Sequence, residues 1–213
     1  MHVLITAGGT REYIDPVRFI SNASTGKMGY ALARAALNGG HPVTLITAPT
    51  HIRLPASAQT IQVVSASDMF HAVQNSFAKC DVLIMCAAVS DYTVINPASS
   101  KLKKTTRTLT LKLEPTVDIL QWAGAEKLRT PRKPKLLVGF GLEDQDLKER
   151  AEAKLRQKHL DMIVANGPEA IGAEKSVVHI KSTDAPWQTF PLAGKLTQAR
   201  RILRLIEHEL TQR

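Results

Sequence analysis

Cysteine is scarce: Cys80 and Cys86 are the two in 213 residues. A chain of this size does not need a disulfide staple, and a metal centre needs more ligands at tighter spacing than the seven scattered histidines supply. Buried, inert thiols in a reducing compartment are the better reading. Long apolar runs are missing too. The longest, Val82 to Val89, falls far short of the ~20 residues of a membrane-crossing helix. At the N-terminus, Met1-His2-Val3-Leu4-Ile5 has neither the basic region nor the apolar stretch of a signal peptide. These absences predict a cytoplasmic protein with no membrane partner.

Acids are in the minority. The chain has 19 Asp and Glu against 28 Lys and Arg, a net charge of +9. The excess is clustered: Lys101, Lys103, Lys104, Arg107 and Lys112 form one group, and Lys127, Arg129, Arg132, Lys133 and Lys135 another. Such groups attract phosphates, on nucleic acid or on small anionic substrates, when they are not simply solvated loops. With 44% apolar and 22% charged residues the composition suits one globular domain over 1–213 that buries a substantial core.

Apolar periodicity alternates between strand and helix. Strands are expected at His2–Thr6, Val43–Thr47, Thr60–Val64, Asp81–Ala88, Leu136–Gly141, Asp161–Ala165 and Val177–Lys181. Met28, Ala31, Leu32, Ala35 and Ala36 mark a helix that stops at Asn38-Gly39-Gly40. Ser67-Asp68 is positioned to cap a second, with Met69, Val73 and Phe77 on its apolar face. Further helices are expected at Thr116–Leu128, Asp144–His159 (with Glu152 four residues before Arg156) and Leu196–Leu210. The stretch 91–113 interrupts the pattern as a flexible loop and strand extension: Asp91 to Arg107 is irregular, and Leu109–Leu113 alternates as a strand. Repeated strand–helix units predict an α/β fold: a doubly wound, mainly parallel, Rossmann-like sheet with helices on both faces and a small irregular or β extension. Ligands on such sheets sit beyond the carboxyl ends of the strands.

Several segments fall at that edge. Gly8 and Gly9 form a turn after the first strand, and Ser24, Thr25 and Gly26 open a helix whose free N–H groups favour an anion, with the Lys27 charge beside them. This is neither a dinucleotide fingerprint nor a P-loop. Ala87 and Ala88 leave room against the backbone at the end of a central strand, and Asp91 follows them. Lys101-Leu102-Lys103-Lys104 could fold a cation over a reacting phosphate, the kind of electrostatic stabilisation that dominates phosphoryl and nucleotidyl transfer. Phe140 could stack on a base and Asn166 read its polar edge.

Taken in order, Asp15-Pro16-Val17-Arg18-Phe19-Ile20-Ser21-Asn22, Ser24-Thr25-Gly26-Lys27-Met28-Gly29, Ala87-Ala88-Val89-Ser90-Asp91-Tyr92 and the Lys-x-Lys-Lys run resemble the phosphopantothenate–cysteine ligase family. The resemblance spans nearly the whole chain, from Ile5 to Asn166. It implies a ligase of coenzyme A biosynthesis that joins 4′-phosphopantothenate to L-cysteine through an acyl-cytidylate, using CTP and Mg2+. By carry-over, Gly8, Ser24, Gly26 and Gly29 cradle the triphosphate, and Asn22 holds the acyl-cytidylate. Ala87, Ala88 and Asp91 line the nucleotide and substrate site, Lys101 stabilises the activation transition state, and Phe140 and Asn166 contact the base. Arg18 is expected to reach phosphopantothenate in the neighbouring protomer of a homodimer. Many bacterial members are fused behind a flavin-dependent decarboxylase, so the resemblance implies a free-standing, bacterial-type form with such a decarboxylase as a separate partner. Three segments depart from the usual pattern: Glu114 to Leu120 is one residue longer, Gly-Leu-Glu-Asp follows Phe140, and Gly-Pro-Glu-Ala-Ile-Gly follows Asn166.

A nicotinamide-dependent reductase on the same fold would need a glycine fingerprint and a Tyr-x-x-x-Lys pair, but Asn96 stands four residues after Tyr92. A nucleic-acid binder using the basic clusters would be expected to interleave them with aromatics, which is not the case here.

Overall fold

A computed structural model describes residues 1–106, 108–130 and 134–212; Arg107, Arg132 and Lys133 of the two basic clusters lie outside the described residues. The first strand, β1 (Val3–Ala7), is wholly buried, with Val3, Ile5 and Ala7 facing one core and Leu4 the other. A short antiparallel hairpin follows, β2 (Arg11–Tyr13) and β3 (Phe19–Ser21). Helix α1 (Lys27–Asn38) stops at the expected glycines. After it come β4 (Val43–Thr47), β5 (Gln59–Gln62), α2 (Ala66–Phe77) and β6 (Val82–Met85). A second small hairpin pairs β7 (Tyr92–Val94) with β8 (Leu113–Pro115). The chain continues through α3 (Ile119–Arg129), β9 (Leu136–Leu142), α4 (Leu147–Gln157) and β10 (Met162–Asn166). It closes with β11 (Lys175–Ser182), β12 (Gln188–Gly194) and α5 (Lys195–Thr211).

Among the described residues one sheet has the order β12-β11-β10-β9-β6-β1-β4-β5, in which β11 runs antiparallel to both its neighbours, β10 and β12, and all other pairs are parallel. Read along the parallel strands alone, this is the 3-2-1-4-5-6 order of a doubly wound sheet, whose strand order reverses between β1 and β6. Helices α1 and α5 cover one face; α2, α3 and α4 cover the other. The expected fold class is therefore observed. No helix of the described residues is long and apolar enough to cross a membrane.

Local departures from expectation have local causes. The strand expected at Leu109–Leu113 begins only at Leu113, because its partner β7 ends at Val94 before the left-handed Asn96 (φ 56°) and Pro97. Helix α2 is capped by Ser65 rather than by Ser67 or Asp68: the Ser65 hydroxyl accepts from Asp68 N at 3.1 Å, and the Asp68 carboxylate accepts from Ser65 N at 2.9 Å. Helix α4 starts at Leu147, after a left-handed Asp146 (φ 46°), and carries the expected Glu152–Arg156 ion pair at 3.3 Å. β6 stops at Met85 rather than Ala88, since the next two amides, of Cys86 and Ala87, both donate to the buried Thr6 hydroxyl at 3.1 Å.

Close packing explains Gly29. A Cβ there would lie 2.6 Å from the Ala7 Cβ, so the glycine lets α1 rest directly on β1. Because the helical backbone tolerates alanine, Gly29→Ala should act by overpacking and cost about 1–3 kcal/mol. Urea denaturation measures this directly, and a variant as stable as the parent would remove the packing explanation.

Candidate active site

The strand-order reversal between β1 and β6 opens a crevice at the carboxyl edge of the sheet. Two loops form its walls. The Gly8-Gly9 turn after β1 is joined to the loop after β6 by Ala88 N donating to Gly8 O (2.8 Å) and Thr10 N to Ala88 O (3.3 Å). The Thr10 hydroxyl accepts from Ser90 N at 2.9 Å, and Asn22 Nδ2 donates to Val89 O at 3.0 Å. Between these loops and the ends of β9 and β10 lies a cavity of about 570 Å³.

The cavity brings together Asn22, Ser24, Gly26, Lys27, Ala87, Ala88, Asp91, Phe140 and Asn166 from the sequence-derived set. Gly26 adopts a left-handed conformation (φ 78°) at the N-cap of α1, with no side chain capping that helix. The amides of the first turn are thereby left facing the crevice edge, where an anion is favoured. Gly8, Gly9 and Gly29 are not among the lining residues. Added Cβ atoms there would press on Ala48 O, Asn22 O and Ala7 respectively, so close packing of the cradle already requires glycine, and at Gly8 the left-handed backbone (φ 83°) requires it too. With its donors matched to acceptors, the Asn166 amide nitrogen is engaged with Ala165 O (3.0 Å) and Val177 O (3.2 Å), so this side chain shapes the wall with its nitrogen already committed.

Arg18 and Lys101 also lie outside the cavity lining, and they lie near each other. Asp15, 1% exposed, accepts from Val17 N and Arg18 N on Oδ1, both at 2.9 Å, while its Oδ2 accepts from Arg18 Nε at 3.0 Å and Leu102 N at 3.1 Å. Arg18 Nη2 pairs with the same carboxylate and donates to Leu102 O at 2.7 Å. The Arg18 side chain nevertheless remains 44% exposed, and Lys101 is exposed.

Charge in the cavity includes residues that sequence reading missed. Lys154, Lys158 and Lys195 join Lys27 on its walls, facing Asp91 and Asp118. Lys154 is largely buried and donates to Phe140 O at 2.9 Å; burial pushes its ammonium below the usual lysine range, against the partial support of Glu143, Asp118 and Asp91. Burial likewise lowers Lys195, which donates to Ala170 O and Ser176 Oγ at 3.2 Å. Asp118 caps α3 through Gln121 N at 2.9 Å and pairs with Lys158 at 2.6 Å. Burial pushes the Asp118 carboxyl up, and its bonds to Lys158 and Gln121 N more than reverse this, leaving it below its ordinary value. The extra residue between Glu114 and Leu120 thus sits in a segment that delivers a carboxylate to the cavity. Lys27 reaches Glu174 and, at 3.2 Å, Gly172 O, holding the turn after β10 against the rim. Burial pushes the Cys86 thiol up to about 12, and Cys80 is buried, in line with inert thiols. Cationic side chains, helix-end amides and two carboxylates in one crevice fit a polyanionic ligand.

The family described as DNA/pantothenate metabolism flavoprotein C-terminal domain matches residues 1–210. The chain belongs to this family. Coenzyme A biosynthesis bifunctional protein CoaBC of Bacillus subtilis is 44% identical over 210 residues, covering 96% of this chain and 50% of that protein. Its Haemophilus influenzae namesake is 41% identical over 183 residues, covering 84% and 45%. The chain therefore spans about half the length of the curated relatives it matches. In structure it is similar to the C-terminal domain of a CoaBC protein, with TM-score 0.83 and 39% identity over 100% of this chain and 96% of that one. Cab2, solved in complex with phosphopantothenate-cysteine, shares the fold at TM-score 0.75 and 18% identity, covering 99% of this chain and 86% of that one. Within this family domain, the crevice between β1 and β6 is the candidate active site.

The Arg18 guanidinium beside Asp15 holds its carboxyl well below the usual carboxylate range. A folded-state pKa below the unfolded value gives stability that is complete above about pH 4 and is lost as pH falls through the folded value. Asp15→Asn should lower the melting temperature at neutral pH and make its fall between about pH 4 and pH 2 shallower than in the parent. Parallel melting curves for the two proteins across that range would show that Asp15 has no such role.

Proposed function

We propose that this chain is the ligase of the family, joining 4′-phosphopantothenate to L-cysteine with CTP as co-substrate. The observation that carries the reading is the convergence of the α1 amide end, Lys27, Lys154 and Lys158 on one crevice that also holds Asn22 and Asp91. In the first step a carboxylate oxygen of phosphopantothenate attacks the α-phosphorus of CTP, the bond to the β-phosphate breaks, and pyrophosphate leaves. In the second, the cysteine amine attacks the acyl carbon, the bond to the CMP oxygen breaks, and the amine loses a proton as the amide forms.

Both reactants of the first step are anions, so the residues around them must offset their repulsion. Ser24 and the amides following Gly26 receive phosphate oxygens, Lys27, Lys154 and Lys158 supply full charges, and Lys101 approaches from the exposed run. The half-buried Phe140 presents its ring to the base. Asn22 keeps one amide N–H on Val89 O, and the other serves the acyl oxygen as charge develops there. Asp91 suits Mg2+, a hard cation that can be held by one carboxylate together with substrate phosphates, whereas both oxygens of Asp118 are taken by Gln121 N and Lys158. When bound, the cation would neutralise charge on the triphosphate.

A homodimer is part of the proposal. It is supported by apolar side chains exposed on the two hairpins: Tyr13 (40%), Val17 (57%), Phe19 (40%) and Tyr92 (54%). A second copy covering that surface would carry Arg18 toward the neighbouring site. A flavin-dependent decarboxylase as partner, and a cytoplasmic setting, complete the reading.

Pyrophosphate release from CTP, with ATP in parallel, should require phosphopantothenate but not cysteine, whereas CMP release should require both. Asn22→Ala should let the acyl-cytidylate accumulate, with amide formation slowed by about 3–4 kcal/mol in barrier. Absence of pyrophosphate with every nucleotide would refute the ligase, and normal single-turnover amide formation in the variant would remove Asn22 from the second step.

A further inference from the structure

Lys101 belongs to a long excursion between β7 and β8, and the fold holds that excursion at particular points. Ile95 N donates to Lys112 O at 3.0 Å, extending the hairpin, and Ala98 N donates to Ile14 O at 2.9 Å. Leu102 is then gripped at both ends of its main chain: its N–H by Asp15 Oδ2 and its carbonyl by Arg18 Nη2. Asp15 and Leu102 are 87 residues apart, so this grip is tertiary and not a local turn.

The two carboxylate oxygens of Asp15 do different work. Oδ1 closes the hairpin turn through Val17 N and Arg18 N, a task that an asparagine oxygen performs equally well. Oδ2 meets only donors, the guanidinium and Leu102 N–H, and an amide NH2 in its place would oppose them. A buried, fully paired carboxylate is a firm anchor because separating it from its partners would leave a desolvated charge.

We propose that Asp15 is a positioning residue for Lys101, fixing through Arg18 and the Leu102 peptide the point from which that lysine reaches the reacting phosphate. The inference rests on the ligase reading for the role of Lys101, while the anchor itself is independent of it. It also gives Arg18 a task within its own chain.

Asp15→Asn keeps the turn and breaks the grip. Pyrophosphate release should slow by about tenfold or more while the CTP dissociation constant, set by the cavity, stays within about twofold. In a Lys101→Gln background the same substitution should add almost nothing, because both changes remove one function. Trypsin should cut after Lys101 and Lys103 several-fold faster in Asp15→Asn than in the parent. If Asp15→Asn does not fold, Leu102→Pro, which removes the gripped N–H and leaves the hairpin intact, takes its place, with tryptic cutting then read after Lys103 alone because trypsin spares a Lys–Pro bond. Equal losses in rate and CTP binding, or an undiminished effect in the Lys101→Gln background, would overturn the positioning role. Should the parent release no pyrophosphate with any nucleotide, the ligase reading falls alone and trypsin decides the anchor: faster cutting upholds it and unchanged cutting overturns it.

Discussion

The crevice depends on one buried hydroxyl. Thr6 is the penultimate residue of β1, where a β-branched residue fits a sheet, yet its Oγ accepts from the amides of Cys86 and Ala87 that would otherwise extend the β1–β6 ladder. The ladder ends early, and the chain after β6 turns away to meet the Gly8-Gly9 turn at Ala88 instead of running on alongside β1. A doubly wound sheet already parts its connections where strand order reverses. Thr6 sets where the second wall begins, and so which residues line the crevice: Ala87 and Ala88, then Asp91.

On that frame the electrostatics become definite. An isolated surface lysine contributes little, because water screens it and its side chain is mobile. Lys154 is different: it is largely buried, its ammonium held on the Phe140 carbonyl, and burial disfavours its charged form. A cation kept in such a place without a dedicated ion pair gains most from an anion arriving in the cavity. Lys158 and Lys27 instead hold carboxylates of the protein itself, Asp118 and Glu174. A polyanionic ligand entering here would compete with those carboxylates for the same lysines.

The fold was legible because its signals are periodic. Val3, Ile5 and Ala7 alternate with Leu4 between two cores, and the small residues of α1 mark a close helix–sheet contact. What periodicity missed is short or exposed. β2 and β3 have three residues each, and β12 carries Pro191 on a sheet edge where a missing N–H is harmless. The hairpin is secured by Glu12, buried and bonded to Ala66 N and Thr93 Oγ, a long-range acid that no local pattern announces.

The site was legible where its residues are contiguous, as in Ser24 to Lys27 and Ala87 to Asp91, and illegible where a helix contributes single side chains. Lys154 lies within the charged run of α4, which reads as a solvated face, and Lys158 is the C-cap of that helix. The one clue is that they flank the core position Leu155. Glycine is ambiguous in principle: closeness to a phosphate and closeness to neighbouring protein atoms select the same residue, and Gly8, Gly9 and Gly29 all have such neighbours. The central claim is that the β1–β6 crevice binds a nucleoside triphosphate through the α1 amide end and the Lys154 ammonium. The most direct measurement is a crystal structure of the protein soaked with CTP. The account predicts phosphate oxygens against the main chain of Gly26 and Lys27 and within reach of Lys154; triphosphate density outside the crevice, or inside it with the base where the phosphates belong, would contradict it.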